Sequence, residues 1–113
     1  MIKRCEKPEG YFTNLPNHYM WFELYYKDEI YCYAGIEIVD IRASFHTHVL
    51  KWNHNIAKQI LYDWEDLKFI VKSFGATQAI ASNENLEDTR WPKFIKMFGF
   101  SEPQKILISI QEL

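Results

Sequence analysis

From Ile56 onward apolar side chains recur at Ile56, Ile60, Trp64, Leu67, Val71 and Phe74, and this single helical stripe constrains the fold more than any other feature. Ala57, Leu61 and Ile70 widen the stripe, while Lys58, Gln59, Asp63, Glu65, Asp66 and Lys72 are read as lying away from it. A helix with one apolar face must bury that face against a second layer. Asn53 or Asn55 can cap its start, and Gly75 suits the left-handed position just past its end.

The preceding segment supplies the second layer. Residues 19–28 and 29–41 are rich in β-branched and aromatic side chains, and the step Lys27-Asp28-Glu29 between them reads as a hairpin turn. The two-residue period of a strand puts Met20, Phe22, Leu24 and Tyr26 on one face of the first strand, and Ile30, Cys32, Ala34, Ile36 and Ile38 on one face of the second. A third strand over 42–52 carries Phe45, Thr47 and Val49 on one side and Ser44, His46 and His48 on the other.

After the helix, residues 76–82 read as a short strand. A second helix is predicted near 89–98 from Trp91, Phe94, Ile95 and Phe98, with Gly99 ending it, and residues 104–113 read as a last strand. The resulting order is β-β-β-α-β-α-β, an α/β (α+β) domain with a mixed sheet. Residues 1–18, with Pro8, Gly10 and Pro16, read as an irregular arm, and 19–113 as one domain.

Composition narrows the function. Of 113 residues, 48% are hydrophobic and 17% aromatic, so the chain can bury a core. A net charge of −2 provides no global field for nucleic acid or an anionic membrane. Two cysteines in no framework pattern, and no apolar leader in "MIKRCEKPEG", predict a cytoplasmic protein with free thiols.

The strand-to-helix turn at 49–57 and the string "WPKFIKMFGF" at 91–100 resemble the GNAT acyltransferase family over about residues 19–113. The resemblance implies a GNAT-like mixed sheet, an antiparallel meander followed by β-α-β-α-β. It also implies acetyl-CoA as cofactor, its pyrophosphate held by backbone amides at the helix start. The residues there are Asn53, Asn55, Ile56, Ala57 and Lys58. Ala57 fits the family's R/Q-x-x-G-x-G/A pattern, Asn55 stands at a glycine position, and Trp52 replaces the cationic or amide residue. Ile95 stands where the family often has a tyrosine acid. The chain also resembles truncated GNAT-like proteins of tailed phages, some tied to head assembly or the virion interior, through "RWPKF", the Gly99-Phe100 pair and the eroded turn at 49–57.

His46 and His48, two apart on one strand, point the same way and are candidate bases with Glu37; Glu23 is a rival. A metal site would need a third ligand from His18, His54 or Cys32, and none is predicted. The tyrosines and Trp21 could stack bases, but the acidic surroundings of Glu23, Asp28, Glu29, Glu37 and Asp40 argue against nucleic acid. Tyr25, Tyr31 and Tyr33 instead predict a protein interface or homo-oligomer. The expectation is a catalytically eroded binding or assembly protein, with an acetyl-CoA-dependent N-acetyltransferase as the alternative.

Overall fold

The computed structural model describes residues 1–82, 96, 99 and 108–113. Along them run β1 (Ile2–Cys5), β2 (Met20–Tyr26), β3 (Glu29–Val39), β4 (Arg42–Val49), α1 (His54–Ser73), β5 (Gln78–Ser82) and β6 (Ile108–Glu112). The six strands form one sheet in chain order. Neighbours are antiparallel except β4 and β5, which run parallel from Arg42↔Gln78 to His46↔Ser82. That is the pair α1 joins, as a parallel connection requires a crossover.

This mixed sheet with one helix among the described residues replaces the meander plus β-α-β-α-β that the GNAT resemblance implies. Residues 2–5, within the segment predicted to be irregular, pair with β2 from Ile2↔Leu24 to Cys5↔Trp21, so the meander has four strands. Ile2 packs on the core, and the Tyr25 N–H extends the ladder to Met1 O at 2.8 Å. The predicted second helix lies outside the described residues apart from Lys96, whose backbone is helical, and Gly99, which has φ +82°.

The turns follow local chemistry. Lys27 (φ 48°) and Asp28 (φ 65°) are both left-handed between the paired Tyr26 and Glu29, the geometry of a tight two-residue hairpin. Asp40 (φ 55°) turns β3 into β4. Asn53 caps α1, its side chain accepting from the Ile56 N–H at 2.9 Å.

α1 covers one face of the sheet. Phe22, Leu24, Cys32, Ala34, Ile36, Ala43, Phe45, Ala79 and Ala81 meet Ile56, Ile60, Trp64, Leu67 and Val71 in one core, the Phe45 and Trp64 rings 4.9 Å apart edge to face. Three expectations are corrected here. Phe74 is the C-cap and 63% exposed, because the helix ends before it. Asp63 is 1% exposed, within the stripe and not away from it. Tyr31 is fully buried, because the register shift opposite Leu24 and Tyr25 leaves it as the extra residue of a bulge, turned toward α1.

Candidate functional site on the helix-free face

Directly paired residues share a face of a sheet, so the registers define rows across the side that α1 leaves open. One row is Lys3, Glu23, Tyr33 and His48; the next is Cys5, Trp21, Gly35 and His46; a third contains Glu37 and Ser44. His46, His48 and Glu37 therefore stand on one face, as the sequence predicts for the two histidines.

The long loop of residues 6–19 folds back over these rows. Its ends are joined by the Cys5↔Trp21 pairing, and loops of this length in compact domains are commonly functional. Tyr11 packs on Tyr33 and His48, with ring centroids 5.2 and 4.7 Å away. Phe12 is buried against Trp21 at 5.1 Å, held at a left-handed φ of 56° that a bulky side chain adopts only under tertiary constraint. Tyr19 stacks on Trp21 and packs against His46, each at 5.7 Å. The Trp21 indole donates to Asn17 O at 3.2 Å, and Lys7 Nζ to Leu15 O at 2.5 Å.

These contacts decide what the candidate bases can do. Glu37 Oε2 is 2.6 Å from Nε2 of the loop residue His18, so the carboxylate is already paired. His48 packs against Tyr11 and Phe12 but stays exposed, and His46 packs against Tyr19. The structure brings the three residues to one face and packs the loop against them, leaving His48 exposed. A groove of about 790 Å³ remains between the two limbs of the loop, with Arg4, Lys7, Tyr11, His18 and Tyr19 among its walls and Trp21 at its floor.

The residues assigned to pyrophosphate lie elsewhere, at the start of α1. The Ile56 N–H is taken by the Asn53 side chain, and the Ala57 N–H donates to Asn53 O at 2.9 Å. Asn55 is helical and is not among the left-handed residues, so it does not form a glycine-like turn. Asn53, Asn55 and Lys58 are exposed, and Lys51 is paired with Glu29, whose carboxyl it holds below the usual range. Among the described residues no group of three or more His, Cys, Asp or Glu could hold a metal, and no helix is long and apolar enough to cross a membrane.

On the helix side, sequence reasoning missed a buried polar cluster. The Asp63 carboxylate accepts from the Met1 ammonium at 2.7 Å, from Gln59 Nε2 at 3.0 Å and from the Tyr31 hydroxyl. Burial and the neighbouring carboxylate push the Tyr31 hydroxyl well above its ordinary value. Burial pushes the Cys32 thiol up to about 12. Cys32 lies in the core beneath α1, on the opposite face from His46 and His48, so it cannot join them as a ligand. The signal for Asp63 was spacing, since it stands three residues after Ile60 and four before Leu67.

Compared with protein-family models and with curated proteins, the sequence matches none.

Proposed function

We propose that this domain is a non-catalytic binding module that engages a protein partner through the tyrosine-bearing end of its helix-free sheet face. The observation that carries the reading is the placement of Tyr11, Tyr25 and Tyr33, all partly exposed on a face that α1 does not cover. Amphipathic rings that lose little rotamer freedom are favoured contact residues. Tyr31, also predicted for this interface, is excluded by its burial on the other side.

Acyl transfer is the weaker reading for two local reasons. A pyrophosphate at the start of α1 would compete with the Asn53 carboxamide for the Ile56 amide, and Glu37 would have to leave His18 before acting as a base. The phage-assembly setting implied by "RWPKF", the Gly99-Phe100 pair and the altered turn at 49–57 draws its longest string from residues 90–94, which lie outside the described residues.

Calorimetric titration with acetyl-CoA, with the thermal midpoint followed in parallel, separates the two readings. A ligand that binds only the native state must raise the midpoint. The binding-module reading expects no heat and no shift at millimolar cofactor. Micromolar affinity with a raised midpoint would overturn it in favour of an N-acetyltransferase.

A further inference from the structure

The partner chemistry can be read from one side chain on this face. Among the described residues the ion pairs are Met1 with Asp63, His18 with Glu37, Lys51 with Glu29 and Lys68 with Glu65. Glu23 has none, although it is partly buried in the middle of a row. Lys3, directly across on β1, is exposed and makes no ion pair with it.

Two tyrosines flank this carboxylate, and a third packs on one of them. Tyr33 is its cross-strand partner on β3, Tyr11 packs on Tyr33 at 5.2 Å with the rings inclined by 41°, and Tyr25 follows two residues along β2. Tyr25 and Tyr33 are both pushed above their ordinary pKa, by burial first and then by the Glu23 charge, with the Tyr25 hydroxyl also hydrogen-bonded to Glu23. Half-open aromatic walls beside a carboxylate that has no ion pair favour a flat, delocalised cation: the π faces attract it, and the carboxylate oxygens keep lone pairs for its N–H groups.

We propose that Glu23, Tyr11, Tyr25 and Tyr33 form a receptor for an arginine side chain of the partner protein. The proposal rests on the binding-module reading and adds the identity of the anchor. A guanidinium stacks on tyrosine and meets a carboxylate through two parallel N–H groups, whereas an ammonium offers only a compact, strongly hydrated point charge.

The test uses the full chain with ring-labelled tyrosines, followed by NMR. The probes are the blocked tripeptide acetyl-Gly-Arg-Gly-amide and the same peptide carrying citrulline, a neutral isostere, or lysine in place of arginine. The arginine peptide is expected to give saturable shifts at the Tyr25 and Tyr33 rings in the millimolar range. Citrulline, lysine and the Glu23→Gln chain should each weaken binding by about tenfold, equivalent to about 1.4 kcal/mol. No shift with the arginine peptide, or equal responses to arginine and citrulline, would overturn the proposal. A lysine response equal to that of arginine would overturn the choice of arginine. The citrulline comparison is made on the unaltered protein, so it holds even if Glu23→Gln disturbs folding. Should the peptide fail while a cross-linker at position 25 still captures a partner, the binding-module reading survives and only the arginine anchor falls.

Discussion

The six-membered ring of Trp21 occupies the space into which a Cβ on Gly35 would project. Such an atom would lie 2.9 Å from Cε3 and 3.0 Å from Cη2, closer than real Cβ contacts approach. Trp21 is 2% exposed and held from above by Phe12 and Tyr19, so it has nowhere to move. Gly35→Ala is therefore expected to cost about 1–3 kcal/mol, the usual penalty of overpacking. Urea denaturation would measure this loss. A smaller side chain at position 21 should relieve it, so Trp21→Leu combined with Gly35→Ala should cost less than the sum of the two single changes.

Tyr31→Phe should be at least as damaging despite removing one atom. The Asp63 carboxylate is almost wholly buried and depends on three donors, and the substitution leaves it one short. Hydrogen bonds to charged groups contribute about 1.5–3 kcal/mol, and equilibrium unfolding should find a loss in that range.

Cys32 gives the protein an alkaline limit. Its thiol moves from an ordinary 9.0 to about 12 in the folded chain. Between those values the unfolded chain releases the proton while the native chain keeps it, so the native state binds more protons and stability falls as pH rises. The slope approaches about 1.4 kcal/mol per pH unit for one proton. Stability curves of the wild type and Cys32→Ala should run parallel below about pH 8 and diverge above about pH 9, with the wild type falling more steeply. Tyr31 is present in both chains, and the larger causes of its high pKa, burial and Asp63, are common to the two; Cys32 is the last and smallest.

Much of this architecture was legible from periodicity. The α1 stripe, the core face of β2 and that of β3 from Cys32 to Ile38 follow from spacings of 3.6 and 2, whereas Ile30, expected on the same face, pairs with Tyr25 beyond the bulge and is not in the core; the shared face of His46 and His48 follows from their separation by one residue. Asn53 was one of two caps that residue type allowed. Gly35 also carried a signal, since a lone glycine within a strand pattern marks a close approach. Asp63 was misplaced because its charge was allowed to outweigh its position between Ile60 and Leu67.

Other features lay beyond local pattern. Four residues of β1 with one core-packing apolar side chain, Ile2, are too few to display a period. The bulge that turns Tyr31 inward is a property of two strands in register, which neither strand reveals alone. The loop's packing against His46, His48 and Glu37 depends on Tyr11, Phe12, His18 and Tyr19 meeting partners far along the chain. Residue type could nominate the candidate bases, but it could not show which loop side chains pack against them.

The central claim is that this protein meets its partner through the tyrosine-bearing sheet face. The most direct test places a photo-activated cross-linking residue at position 25 and, separately, at position 62. Tyr62 is 73% exposed on α1 and stands for the rival surface that includes Phe69, 75% exposed. Irradiation in cells that naturally make the protein should give a discrete adduct, with another protein or a second copy of this chain, from position 25 and none from position 62. That adduct should disappear when Tyr33→Ala is added. An adduct from position 62 alone, or none from either position, would contradict the account.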